Sequence, residues 1–468
     1  MGTGRMTKAM RQAKRSQRLA GCAILVVLTA AFIAEIFWLT GERMNPQARR
    51  LQQQADIHYR AGRFEQAEAA YRQAATLAPE SSQLAAQLGA IALLRNRSAE
   101  AVALLEQAIE LAPWYSRFWP MNAPVKARLA MAHYRQDQFA EASRLFHEAA
   151  GPLPLGPFRE LDALAQQTAL FVGRVPYALA GPNQDRIPFL ATDPLPVLPV
   201  SINGYKPVSF ILDTGGAEII LDDGYAKDVG AEMAGAFSGA YAGGRQAETG
   251  LGRVESVSLG EFTLREVPIH VLDVDSISSL YEGLEIKGVI GTRLLLHFLS
   301  TIDYPGGALI LQRSTLENQE ALDRRPAVSG AVQIPFWLAE MHMMLAWGQL
   351  NDANPALFFV DTGLAGKAFT ALETDLKAAG ITPDWSTAGL GGGGGGTVRE
   401  VDFVIDRLSL GTGAHQVART NLPGSAIEGS TPPLGDVLGF HVGGLISHAF
   451  YRDSAVTFDF AHMRLIVE

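Results

Sequence analysis

Val208-Ser209-Phe210-Ile211-Leu212 runs directly into Asp213-Thr214-Gly215-Gly216-Ala217, and Leu357-Phe358-Phe359-Val360 runs into Asp361-Thr362-Gly363-Leu364-Ala365. A short apolar run rich in β-branched and aromatic residues reads as a strand buried on both faces. Each strand therefore ends in an acid that the chain carries out of a core and into a glycine-containing turn. The two tripeptides stand 148 residues apart. Their downstream segments match as well: Gly288-Val289-Ile290-Gly291 and Thr301-Ile302-Asp303-Tyr304 recur 156 residues later as Gly444-Leu445-Ile446-Ser447 and Thr457-Phe458-Asp459-Phe460. The second copy carries an insertion of eight residues, and the two stretches read as a diverged internal duplication. A lone Asp-Thr-Gly also makes an ordinary turn, in which Asp caps the chain and Gly supplies positive φ. A turn alone does not explain why the flanking strands repeat with it.

Between the first acid and its closing strand lie a Gly243-Gly244 turn and the segment Val254-Glu255-Ser256-Val257-Ser258-Leu259-Gly260. This order of apolar strand, Asp-Thr-Gly, glycine-containing hairpin, apolar-apolar-Gly and closing strand resembles the pepsin and retropepsin superfamily, and more closely the bacterial retropepsin-like aspartyl proteases. The resemblance implies a bilobal, mainly-β acid protease fold. It implies Asp213 and Asp361 as a catalytic pair that activates water for peptide-bond hydrolysis, supported by Thr214, Gly215, Thr362 and Gly363. The substrate would be a peptide or protein, with no cofactor and no metal. Because one chain encodes both halves, a monomeric catalytic unit is expected. Gly216 and Leu364 depart from the family pattern, in which Ser, Ala or Thr follows Asp-Thr-Gly, and Ser447 stands where Gly is usual. These departures motivate an alternative: a peptide-binding scaffold of the cell envelope with a degenerate cleft. Tyr241 reads equally as an aromatic closing over substrate or as a surface hairpin residue. The six consecutive glycines from Gly391 to Gly396 read as a flexible loop, either a second flap or a slack connection.

Toward the N-terminus the pattern changes from strands to a period of 34. Ala67, Tyr71, Ala74 and Pro79 recur as Ala101, Leu105, Ala108 and Pro113. A third copy, Ala130, His133, Ala142, Phe146 and Ala149, echoes Ala55, His58, Ala67, Tyr71 and Ala74 after an insertion between Trp114 and Pro124. Small residues recurring at fixed spacing mark helices that approach closely, and the pattern resembles the tetratricopeptide family. That resemblance implies stacked helix pairs forming a short solenoid, which serves either as a surface for a protein partner or as a plain spacer.

Residues 1–50 hold nine Lys or Arg against two acids, while the whole chain carries a net charge of −9. The folded part is thus strongly acidic, which argues against nucleic acid as a partner. The basic residues precede Leu19–Thr40, whose single charge is Glu35 and whose length reaches the roughly 20 residues that cross a hydrocarbon core. This segment is expected to be an uncleaved transmembrane helix with a cytoplasmic N-terminus. The expected location is the inner (plasma) membrane, single-pass, with the catalytic part periplasmic or otherwise extracytoplasmic. Cys22 is the only cysteine, so disulfides and thiol chemistry are excluded from the rest of the chain. His441, His448 and His462 lack metal-ligand spacing, and neither a phosphate-binding loop, a G-x-S-x-G elbow nor an H-E-x-x-H pair is present. The expected organisation is a basic segment at 1–18, a membrane helix at 19–40, helical repeats at 46–150, a linker at 151–190, a first protease lobe at 191–315, an inter-lobe linker at 316–330 and a second lobe at 331–468.

Overall fold

Alanines at the 34-residue period fall where helices must touch. In the computed structural model, which describes residues 44–117, 120–156, 158–241, 245–324, 330–393, 396–428 and 438–468, they do so in three helix pairs. These are α1 (Pro46–Arg60) with α2 (Phe64–Leu77), α3 (Ser82–Leu94) with α4 (Ser98–Leu111), and α5 (Ala123–Arg135) with α6 (Phe139–Ala150). Ala67, Tyr71 and Ala74, then Ala101, Leu105 and Ala108, then Ala142, Phe146 and Ala149 are all buried at the seams. The sequence also starts these helices: the Asn45 side chain accepts the Gln47 N–H at 2.8 Å ahead of Pro46, and Ser81 accepts the Leu84 N–H at 3.2 Å. The expected helical repeats are present.

Helix α7 (Phe158–Ala169) continues the stack, packing on α6 and on the strand Glu232–Tyr241 of the first lobe. The 151–190 segment, read from sequence as a linker, holds α7 together with the strands Ala178–Ala180 and Gln184–Pro188.

Among the described residues two eight-stranded sheets and one six-stranded sheet build the β lobes. In the first lobe the strand Val208–Leu212 lies between the antiparallel strand Val197–Ile202 and the parallel strand Ile286–Ile290. The second lobe repeats the arrangement, with Ala356–Val360 between antiparallel Met343–Leu350 and parallel Gly444–Ile446. Strands covered on both faces favour near-continuous apolar runs, and both of these are buried toward their acid-bearing ends. The six-stranded sheet joins the lobes. Its middle pairing sets Phe298–Asp303 antiparallel to Ala455–Asp459, with Thr301 opposite Thr457 and their hydroxyls 2.7 Å apart. The duplicated Thr-apolar-Asp segments thus meet each other across the lobe boundary.

The glycine run does not behave as a slack loop. Gly389–Gly393 pairs antiparallel with the start of Gly396–Thr412, so its described residues form the two arms of a β-hairpin.

The membrane helix expected at 19–40 lies outside the described residues. Among the described residues no helix is long and apolar enough to cross a membrane. Helix α1 has 15 residues, about 22 Å at 1.5 Å per residue, against a hydrocarbon core of roughly 30 Å. The repeat helices are moreover rich in charge, as the Glu68, Arg72, Arg95 and Arg97 ion pairs show. The fold therefore consists of helical repeats followed by two β lobes, without support for a transmembrane helix. The expectation of a single-pass inner-membrane protein with an extracytoplasmic catalytic part is not upheld.

Candidate active site

Both acids leave their strands by the same route. The Asp213 N–H donates to the Ile290 carbonyl and the Asp361 N–H to the Ile446 carbonyl, each at 3.0 Å. The adjacent threonines then tie the two turns together. The Thr214 N–H donates to Thr362 Oγ1 at 3.0 Å, and the Thr362 N–H donates to Thr214 Oγ1 at 3.0 Å. Each hydroxyl donates onward across the boundary: Thr214 to the Val360 carbonyl at 2.9 Å, Thr362 to the Leu212 carbonyl at 3.4 Å. Both threonines are buried, so every one of these donors would be orphaned if the lobes separated.

The glycines complete each turn. The Gly215 N–H donates to Asp213 Oδ1 at 2.7 Å, and the Gly363 N–H donates to Asp361 Oδ1 at 2.8 Å. Each glycine also lies against the opposite acid. A Cβ at Gly215 would stand 2.5 Å from Asp361 Oδ1, and one at Gly363 would stand 2.2 Å from the Asp213 carboxyl carbon. Only a residue without a side chain lets the two loops come this close.

The carboxyls hydrogen-bond each other across this contact. Burial pushes Asp213 above the ordinary carboxylate range, against the pull of its hydrogen bonds. Burial pushes Asp361 well above it, and the charge of Asp213 pushes it further. Two carboxylates so placed cannot both ionise and titrate as a pair holding one proton between them. Such a pair offers an acid and a base side by side. The structure thus brings together all six residues singled out from the sequence: Asp213, Thr214, Gly215, Asp361, Thr362 and Gly363.

Residues 198–294, which span the first of these turns and its supporting strands, match the aspartyl protease family. Residues 48–81, within α1 and α2 and reaching Ser81, match the tetratricopeptide repeat. That first-lobe segment is similar to an aspartyl protease domain. Among solved structures it is similar to a retropepsin-like aspartic protease from Rickettsia conorii, at 18% identity over 29% of this chain and 94% of that one, with a TM-score of 0.20. It is similar also to the N-terminal domain of stress-induced protein-1 from C. elegans, at 22% identity over 25% of this chain and 98% of that one, with a TM-score of 0.22. No curated protein matches the chain.

In the second lobe the departures at 364 and 447 meet in one hydrogen bond. The Leu364 N–H donates to Ser447 Oγ at 3.0 Å, so the serine supplies the acceptor that holds its turn. In the first lobe Thr292 does comparable work, its hydroxyl donating to the Thr214 carbonyl at 2.8 Å. A serine could not replace Gly291 there, because its Cβ would meet the Glu218 carbonyl oxygen at 2.3 Å.

Two histidines beside this site carry no spacing signal in the sequence. His342 interacts with the Gly215 backbone and lies 5.9 Å, ring to ring, from Phe359. Burial holds it down to about 4, so it is neutral beside the acids at any pH above that. Burial and the neighbouring His342 likewise lower His270 to about 4. By contrast His441, His448 and His462 bond three different aspartates, Asp375, Asp193 and Asp459, on separate elements.

The hairpin Glu232–Tyr241 with Arg245–Leu259 rises from the first lobe, with Tyr241 opposite Arg245. Its turn, including Gly243-Gly244, lies outside the described residues. Asp222, Asp273 and Asp275 are the one group of three acids among the described residues with an oxygen from each within 4.8 Å of the others. Asp222 already caps the short helix Asp223–Asp228 through the Gly224 and Tyr225 N–H groups. Asp273 accepts the Asp275 N–H.

Proposed function

We propose that the protein is an aspartic endopeptidase in which Asp213 and Asp361 jointly activate a water. The ionised carboxyl takes a proton from the water as its oxygen attacks the scissile carbonyl carbon. The protonated carboxyl donates a hydrogen bond to the carbonyl oxygen and stabilises the charge that develops there. Collapse of the tetrahedral adduct breaks the C–N bond, and a proton passes to the departing amine. Thr214, Gly215, Thr362 and Gly363 hold the two acids in register throughout. The reciprocal threonine bonds between the turns support this reading, because they hold the two carboxyl-bearing turns at one point. In the same reading residues 191–315 and 331–468 form the two catalytic lobes, and the repeats within 46–150 receive a protein partner or substrate.

The test uses the full chain. A peptide library is digested from mildly acidic to neutral pH with the parent, with Asp213→Asn and with Asp361→Asn. Hydrolysis by the parent and its loss by about a thousand-fold in both variants are expected. Variants that cut like the parent would remove the dyad. A parent that binds peptides without cutting them at any pH would favour the scaffold alternative.

A further inference from the structure

The last turn of α5 and the turn into α6, Tyr134 to Asp137, pack against the first lobe. Tyr134 is fully buried, and its hydroxyl donates to Glu218 Oε1 at 2.6 Å. Glu218 is itself fully buried, five residues beyond Asp213 on the same loop. Its other oxygen accepts from the Tyr177 hydroxyl. Opposite it stands Arg293, 1% exposed, on the short helix Thr292–Leu295. Arg293 Nη2 donates to the Tyr134 carbonyl at 3.0 Å and to Asp137 Oδ1 at 2.5 Å. Its guanidinium lies over the Tyr134 and Tyr177 rings at 5.1 and 5.4 Å, and its Nε stands 3.9 Å from Glu218. His297 also faces Asp137, at 3.7 Å.

These two charged residues are wired into the catalytic turn. The Thr292 N–H donates to the Gly216 carbonyl and the Arg293 N–H to the Ala217 carbonyl, each at 2.9 Å. Thr292 Oγ1 reaches Thr214 itself. A buried carboxylate and guanidinium are tolerable only while their hydrogen bonds are met. Here Tyr134 and Asp137 of the repeat meet several of them.

The internal duplication supplies a control. At the spacings of 148 and 156 that relate the lobes, Glu218 corresponds to Gly366 and Arg293 to Ala449. The second lobe builds its aspartate turn without either charge. The pair is therefore not a requirement of the Asp-Thr-Gly turn, and it occurs in the lobe whose turn the repeat touches.

We propose that the turn of the third helical repeat is a positioning element of the catalytic loop, with Tyr134 and Asp137 holding residues 213–218 and 291–293 in place through Glu218 and Arg293. A partner that shifts this repeat would then alter turnover from outside the cleft. The kinetic half of this proposal rests on the protease reading of the dyad; the structural half does not.

Two variants in the full chain, Tyr134→Phe and Asp137→Asn, separate the two halves. Amide hydrogen exchange read by mass spectrometry should quicken about ten-fold over 213–218 and 291–296, with α1 to α4 unchanged. In the same variants kcat on a cleaved library peptide should fall about ten-fold at constant KM. Asp137→Glu, which keeps the charge, should restore both in part. Unchanged loop exchange in both variants overturns the proposal, as does exchange that quickens equally everywhere, which marks lost stability and nothing more. If the parent cuts no peptide yet the loops respond, the protease reading fails and the positioning stands. If the parent cuts and neither loop exchange nor kcat moves, the positioning fails and the protease reading stands. Should Tyr134→Phe not fold, Asp137→Asn at the rim of the cluster decides alone.

Discussion

At Gly363 a single methyl group would collide with the Asp213 carboxyl at 2.2 Å, closer than van der Waals contact allows. Gly363→Ala is therefore expected to push the two turns apart, at a cost of about 1–3 kcal/mol in unfolding free energy and with hydrolysis lost. Urea denaturation and the peptide assay check the two halves, and a stable, fully active variant would show the acids do not need this proximity. Glu218 makes a second prediction. Burial raises it from 4.5 to about 7, outweighing Arg293 and the two tyrosine hydroxyls that favour its charge. The folded protein thus holds this proton more tightly than the unfolded chain. Its stabilising contribution is complete below pH 4.5 and lost as pH rises through about 7. Glu218→Gln is neutral throughout, so the parent's stability relative to this variant should decline across that window by something on the order of 3 kcal/mol. Urea midpoints at several pH values measure it, and a flat difference would contradict the burial argument. His342 has the opposite sign. Its depressed value of about 4 means its contribution is present above pH 6.5 and lost as pH falls through about 4.

Elements position these residues by being flanked on both sides. The strands Val208–Leu212 and Ala356–Val360 are interior to their sheets, so their ends cannot drift, and the Thr214–Thr362 exchange locks one end to the other. Thr214→Val keeps the shape but removes the acceptor of the buried Thr362 N–H, and should cost about 1–3 kcal/mol. Its unfolding midpoint reports this directly; an unchanged midpoint would mean the lobes are held elsewhere. Helix α7 does similar work on the hairpin. Gln167 is fully buried and donates from one nitrogen to both the Gly252 and the Ile269 carbonyls at 2.9 Å, pinning strands Arg245–Leu259 and Phe262–Val271 to the helix. Gly235 approaches Ala163 so closely that a Cβ there would lie 3.1 Å from its Cα. The hairpin beside the candidate cleft is thus backed by the end of the helical stack.

Across the whole molecule the inter-helix turns of all three repeats dock onto the β lobes. In the first, Phe64 packs edge-on against Trp337 and Phe440, at 5.5 and 4.9 Å between ring centres, and the His441 N–H donates to the Arg60 carbonyl. In the second, Asn96 Nδ2 donates to the Phe460 carbonyl at 3.2 Å. In the third, Arg135 donates to the Leu338 carbonyl at 3.0 Å, beside the Tyr134 cluster. Residues 151–468 expressed alone would expose Trp337, Leu357 and Phe440, which are buried with Phe64 in one apolar cluster. That fragment is expected to bind a hydrophobic dye and to associate, by fluorescence and sedimentation. A monodisperse, cooperatively unfolding fragment would show that the docking is dispensable.

Period, composition and strand endings are local properties of a chain, and here they sufficed for much. The alanine spacing marked the helical repeats, because close helix contact demands small residues at every turn of the seam. The duplicated strand-acid-glycine pattern marked the two lobes and the six residues that the structure gathers at their boundary, because a turn alone does not make its flanking strands repeat with it. The composition of the glycine run from 391 leaves a flap and a slack connection equally open, and its strand character comes from pairing with residues up to Glu400 and not from its own propensity. His342 beside Gly215 had no signal at all. The Tyr134 to Glu218 and Arg293 contacts join residues 84 and 159 positions apart. No spacing rule links such residues, for a buried charge finds its partners only when separate elements close around it, and that is decided by the packed tertiary structure alone.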